Sequence, residues 1–149
     1  MTPARLVASG FGSGFCPVAP GTAGSLVALG IGAAALSVMP TTLPLAAVTA
    51  LVGWWAISAS GESARDPGWV VIDEFAGQFL AMAPLPSPSP AGLLLAFALF
   101  RLFDIWKPGP VGWADRRKTA AGVMGDDVIA GGIAAVLLWG AGWAWPGLY

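Results

Sequence analysis

Residues 69–90 read WVVIDEFAGQFLAMAPLPSPSP, and the fold turns on how this stretch is understood. An apolar run carries two adjacent carboxylates, Asp73 and Glu74, near one end and an uncharged Pro/Ser segment, residues 84–90, at the other. Carboxylates at a membrane boundary are costly unless paired or metal-bound, so the charged end belongs at a polar surface. The Pro/Ser segment is short enough to be a turn between two antiparallel helices.

Outward from this stretch, four more apolar runs appear at about 24–39, 43–60, 91–106 and 128–145, making five with 70–85. Each is slightly shorter than the roughly 20 residues of an ideal membrane span. Gly24, Gly30, Gly32, Gly131, Gly132 and Ala135 punctuate the first and last runs, as small residues do where membrane helices approach closely. Strands of a barrel would alternate apolar and polar residues instead. The expected fold is therefore all-α: an integral membrane helical bundle of about five membrane-embedded helices, with polar loops on one face. Residues 1–149 form a single domain without internal repeats, and nothing near residue 1 resembles a cleavable signal.

Composition supports lipid as the solvent. The chain of 149 residues is 56% hydrophobic and 10% charged, with a mean hydropathy of +0.75, whereas soluble domains carry about 25% charged residues. Such hydrophobicity excludes disorder, and a net charge of -1 without basic runs excludes nucleic acid as a partner. Cys16 is the only cysteine and there is no histidine, which excludes a disulfide scaffold and every imidazole-based mechanism.

The charges are one-sided. Residues 39–42, 85–90 and 146–149, the connections on one side of the bundle, contain none. All seven Lys and Arg and all eight Asp and Glu fall on the other side, which the positive-inside rule makes cytoplasmic. Trp69, Trp106 and Trp113 suit an inner interfacial belt, and Trp143, Trp145 and Tyr149 an outer one.

Three segments on the charged side carry candidate chemistry. Residues 10–26, GFGSGFCPVAPGTAGSL, bring glycines and Pro20-Gly21-Thr22 to a helix start, where backbone N–H groups can meet an anion. The plainer reading is a capping loop, with Thr22 or Ser25 as the cap. Residues 65–78, RDPGWVVIDEFAGQ, hold Asp73 and Glu74, for which a structural ion pair with Arg65 or Arg101 is the competing reading. In the third segment, Arg101, Asp104 and Lys107 recur at three-residue steps on roughly one helix face, and Asp126 and Asp127 precede the last apolar run, where one of them could cap a helix. The basic cluster Arg116, Arg117 and Lys118 is explained by topology and anionic headgroups.

Asp73, Glu74, Asp104, Asp126 and Asp127 are hard oxygen donors that suit Mg²⁺ or Mn²⁺. With Arg101 and Lys107 beside them, they point to metal-assisted phosphoryl transfer on a lipid headgroup. Other phosphatase designs fail on the residues. A cysteine phosphatase needs Arg six positions after its Cys, where this chain has Thr22; the Asp-x-Asp pair of haloacid dehalogenase-type phosphatases does not occur, nor does the Asp-Gly-x-x-Ala-Arg signature of the lipid CDP-alcohol transferases.

Across these segments the chain resembles the phosphatidylglycerophosphatase A family, matching in order GFGSGFCPVAPGTAGSL, DPGWVVIDEFAGQ, FRLFDIWKPGPVGWADR and GDDVIAG. The resemblance implies a bacterial inner-membrane enzyme of phospholipid synthesis. Its activity would be Mg²⁺-dependent hydrolysis of phosphatidylglycerophosphate to phosphatidylglycerol at the cytoplasmic leaflet. Carried onto this chain, it puts acidic roles on Asp66, Asp73, Glu74, Asp104, Asp126 and Asp127, and basic ones on Arg101 and Lys107. The resulting expectation has Asp66, Asp73, Glu74, Asp126 and Asp127 hold metal, Asp104 orient water or add a ligand, and Arg101 and Lys107 grip phosphate. The loop at Ser13, Pro20, Gly21 and Thr22 would close over it. Two rival readings are a small divalent-cation channel or transporter, because intramembrane carboxylates mark ion paths, and a non-catalytic membrane scaffold.

Overall fold

The computed structural model describes all 149 residues and contains no strand. Its helices are α1 (Pro3–Ala8), α2 (Pro20–Leu36), α3 (Leu43–Ser60), α4 (Ile72–Ala81), α5 (Pro90–Trp106), α6 (Pro110–Asp115) and α7 (Ala120–Ala144), with a 3-10 turn at Ser13–Phe15 between α1 and α2. Proline occupies the first turn of α1, α2, α3, α5 and α6, where its missing N–H costs nothing. Thr2, Ser89 and Thr119 cap α1, α5 and α7 by accepting from the backbone N–H three residues on.

Helix α4 is the centre of the bundle. Eight of its ten residues are buried, and α2, α3, α5 and α7 pack around it. Phe75 and Phe79 meet edge to face at 6.1 Å in the main core, together with Val71, Ile72 and Met124. Packing uses small residues on the inside: Gly24 of α2 lies against Val71, Gly53 of α3 against Ile72 and Met124, and Gly131 of α7 against the backbone of Gly77. Large apolar residues such as Leu51, Trp54, Leu94, Leu102 and Val136 are exposed on the outside. That inversion is expected where lipid surrounds the helices and close backbone approach holds them together.

Five of the helices, α2, α3, α4, α5 and α7, correspond to the five apolar runs. Two of them, α3 and α7, are long and apolar enough to cross a membrane by length and composition. Helix α4 rises only about 15 Å over its ten residues, half of a hydrocarbon core. It ends at Ala81, and Thr42 and Thr41 hydroxyls donate to the Phe79 and Ala83 carbonyls at 2.6 and 2.9 Å, satisfying the C-terminal end inside the protein.

Two capping expectations are corrected. Helix α7 begins at Ala120, so Asp126 and Asp127 lie in its second turn and Thr119 is the cap. At α2 neither Thr22 nor Ser25 caps: Ala19 occupies the N-cap position with φ 49°, and the Ser25 hydroxyl donates to the Gly21 carbonyl at 2.8 Å.

Candidate functional site

The start of α2, the loop before α4, the first turn of α4, the end of α5 and the second turn of α7 converge on a cavity of about 230 Å³. It is lined by Pro20, Gly21, Asp66, Pro67, Gly68, Val70, Asp73, Glu74, Asp104, Lys107, Val123, Asp126 and Asp127. Apart from two valines and two prolines, every lining residue is charged or glycine. A recess this polar beside otherwise apolar helices is the candidate binding site of the fold.

The ion pairs divide the carboxylates into two groups. Arg101 pairs with Asp104 one turn along α5 and also donates to the Ser25 hydroxyl at 3.3 Å. Lys107, the C-cap of α5 in a left-handed conformation (φ 51°), donates to Asp115 at 2.5 Å and to Asp126 at 2.6 Å. Lys118 lies 3.4 Å from Asp66, and Arg65 lies 3.9 Å from Glu62. Asp73, Glu74 and Asp127 have no cationic partner, so the competing reading, a structural ion pair to Arg65 or Arg101, does not form.

These three carboxylates are held together by the crossing of α4 and α7. Each offers an oxygen, and the three oxygens lie within 4.8 Å of one another. Two unit charges 4 Å apart repel by about 4 kcal/mol at an effective dielectric near 20. Asp73 and Asp127 are buried, and the Glu74 Oε2 atom is buried without a hydrogen-bond partner. An all-oxygen donor set with an orphaned, buried carboxylate oxygen fits a hard divalent cation.

Outside the helical spans, the clamp around Lys107 is electrostatically tight. Burial disfavours the Lys107 ammonium, yet its hydrogen bonds to Asp115 and Asp126 outweigh that and hold its pKa above the ordinary lysine value. The hydrogen bond from Lys107 in turn holds the Asp115 carboxyl below the usual carboxylate range.

Of the residues singled out from sequence, Pro20, Gly21, Asp66, Asp73, Glu74, Asp104, Lys107, Asp126 and Asp127 line the cavity. Arg101 stands behind Asp104. Ser13 and Thr22 are not among the lining residues, and the Ser13 hydroxyl donates to the Gly10 carbonyl at 2.9 Å. The glycine loop packs instead on the approach to α4: Gly14 abuts the Trp69 carbonyl, Phe15 stacks on Trp69, and the Val71 N–H donates to Ala8. Arg5 covers the same indole at 4.7 Å, and Arg117 stacks over Trp113 at 3.8 Å. Sequence reasoning missed two residues that hold the cations, Asp115 and Ser25. The only signal for Asp115 is its place beside the basic cluster, and the sequence offers Ser25 only as an alternative to Thr22 for a helix cap.

The chain matches known proteins along nearly its whole length. The sequence profile described as phosphatidylglycerophosphatase A matches residues 6–141. The chain is 36% identical to phosphatidylglycerophosphatase A of Escherichia coli, covering 97% of this chain and 86% of the relative. It is 38% identical to the Haemophilus influenzae protein of the same description, over 93% and 88% respectively. A Bacteroides thetaiotaomicron protein provisionally named a phosphatidylinositol-3-phosphatase is 41% identical, over 93% and 92%. No solved structure matches the chain significantly.

Proposed function

Because the chain belongs to the phosphatidylglycerophosphatase A family, we propose that it hydrolyses the terminal phosphomonoester of phosphatidylglycerophosphate, yielding phosphatidylglycerol and inorganic phosphate in phospholipid biosynthesis. The observation that carries this reading is the unpaired triad Asp73, Glu74 and Asp127 in a polar cavity whose rim supplies Lys107. A channel has no support in the family, and a scaffold needs no such cavity.

Asp73, Glu74 and Asp127 would hold Mg²⁺, with Asp126 and Asp66 near enough to the cavity to extend the set. Bound there, Mg²⁺ supplies charge neutralisation for the phosphoryl group and a more acidic water. Lys107 presents its ammonium to the phosphate from the cavity wall, while Arg101 fixes Asp104, which orients the attacking water and takes its proton. The water oxygen bonds to phosphorus as the ester P–O bond breaks, and the leaving alkoxide of the glycerol headgroup takes up the proton that Asp104 received. Pro20 and Gly21 bring the start of α2 against the phosphate. Five embedded helices, with every charge on the cytoplasmic side of a bacterial inner membrane, would put the cavity at the level of lipid headgroups.

The test is phosphate release by purified protein in detergent micelles, with and without Mg²⁺, from four substrates. These are phosphatidylglycerophosphate, phosphatidic acid, phosphatidylinositol 3-phosphate and a soluble phosphomonoester. Mg²⁺-dependent release from the first, well above the others, is expected. Release only from phosphatidylinositol 3-phosphate would move the substrate to that of the name carried by the Bacteroides relative, and no release from any lipid would overturn the reading.

A further inference from the structure

Four buried side-chain polar atoms have no hydrogen-bond partner: Glu74 Oε2, Arg101 Nε, and both Oε1 and Nε2 of Gln78. Gln78 is completely buried in the middle of α4, four residues beyond Glu74 and so one turn above it on the same helix face. Met82 continues that face and packs into Gly32 of α2. On the cavity side, Gly21 lies against both the Glu74 carboxylate and the Arg101 guanidinium, so these three residues meet at one point. A primary amide sealed in an apolar bundle without partners costs several kcal/mol relative to water. The orphaned atoms are complementary: Arg101 Nε–H is a donor and Gln78 Oε1 an acceptor, while Gln78 Nε2–H is a donor and Glu74 Oε2 an acceptor. The four orphaned atoms therefore make up two complementary donor–acceptor pairs.

We propose that Gln78 is a positioning residue which links Glu74 to Arg101 from beneath the cavity, donating to the carboxylate and accepting from the guanidinium, and so sets the Glu74 oxygens for a divalent cation. The proposal rests on the assignment of Glu74 to the metal set, and it adds a residue that neither lines the cavity nor carries charge.

Gln78→Met keeps the volume and removes both polar ends. If Gln78 only fills space, this change leaves the protein as stable or more stable and leaves cation binding alone, because apolar replacement of an unpartnered polar group is nearly neutral. If Gln78 positions Glu74, the protein stays folded but binds the cation more weakly. The measurements are thermal unfolding in detergent and Mn²⁺ titration followed by electron paramagnetic resonance, with phosphate release in parallel. Expected is a folded variant whose Tm is no higher than that of wild type, because Glu74 Oε2 and Arg101 Nε lose their partner, together with a Kd for Mn²⁺ raised fivefold or more. A smaller change in Kd in a folded variant overturns the proposal. Should Gln78→Met not fold, Gln78→Asn keeps the amide but withdraws it by one methylene, and is judged by the same threshold. Wild-type protein that binds Mn²⁺ but releases no phosphate removes the proposed activity while leaving Gln78 tested by binding; wild-type protein that binds no Mn²⁺ overturns both.

Discussion

Gly131 of α7 lies against the carbonyl oxygen of Gly77 on α4, at the place a Cβ would occupy. A Cβ at Gly77 would in turn meet Phe100 and the Asp127 carbonyl. This backbone contact stands one helical turn beyond Asp73 and Glu74 on α4 and one turn beyond Asp127 on α7, so the distance between the two helices there sets the spacing of the three carboxylates.

Gly131→Ala is therefore expected to disturb stability and site together. Its methyl meets rigid backbone rather than the end of a flexible side chain, and overpacking of that kind costs about 1–3 kcal/mol. The helices must separate, and the carboxylate oxygens with them. A lower Tm in detergent and weaker Mn²⁺ binding should appear in the same variant; wild-type values for both would remove the Gly77–Gly131 contact as the device that spaces the site.

Asp73→Asn and Asp127→Asn should separate function from stability. Each removes a charge from an uncompensated triad, so in EDTA the variants should unfold at a higher temperature than wild type, because repulsion is relieved. Phosphate release should fall by more than the roughly 10–100-fold typical of residues that only support a metal's ligands. Full activity in both variants would remove these residues from the metal set, and a lowered Tm in EDTA would mean the carboxylates are satisfied without a cation.

The Lys107–Asp115 pair makes a prediction in pH. Asp115 has its pKa depressed by Lys107, so the stability it contributes is present above the ordinary Asp value near 3.9 and is lost as pH falls through its lower folded value. Lys107 has its pKa raised, so its contribution is complete below the ordinary lysine value near 10.4 and is lost as pH rises through the higher folded value. Between about pH 5 and 9 both groups are charged. The Tm difference between wild type and Asp115→Asn should therefore be flat across that range, should shrink as pH falls below about 4, and should vanish only below the depressed folded value, where wild-type Asp115 is itself neutral. A difference that grows toward low pH would contradict the pairing.

How much of this was legible in the sequence depended on how local the signal was. Asp73-Glu74 and Asp126-Asp127 are doublets bordering long apolar runs, and such an arrangement is expensive enough to be noticed without coordinates. The small residues that let α2 and α7 approach α4 were legible for the same reason. The shortness of α4 was not, because the apolar residues 82–85 continue its hydropathy although the helix has ended. The start of α7 was hidden as well: Ala120-Ala121-Gly122 has neither a charge nor a strong apolar pattern, and only the hydrogen bond from Gly122 N–H to Thr119 marks it. Most telling is the sorting of the acids. Which carboxylates are neutralised by Arg101, Lys107 and Lys118 follows from the left-handed turn at Lys107 and from α6, which brings Asp115 back eight residues later. No spacing rule anticipates either.

Gly21 offers the sharpest test of that sorting, because a methyl added there would touch only the site. A Cβ at Gly21 would collide with the Glu74 carboxylate and lie 3.6 Å from an Arg101 guanidinium nitrogen. Both are the far ends of flexible side chains, and position 21 is in the first turn of α2, where alanine is a better helix former than glycine by about 1 kcal/mol. Gly21→Ala should therefore fold with wild-type stability or slightly above it. The cost falls on geometry: Glu74 must shift relative to Asp73 and Asp127, and a displacement of about 1 Å at a catalytic group can cost on the order of 100-fold in rate. Since the substituted residue carries no functional group, a large loss of kcat with an unchanged Tm would show that the position of Glu74, and not just its charge, is what the site requires. Unchanged kcat would place Glu74 outside the catalytic set.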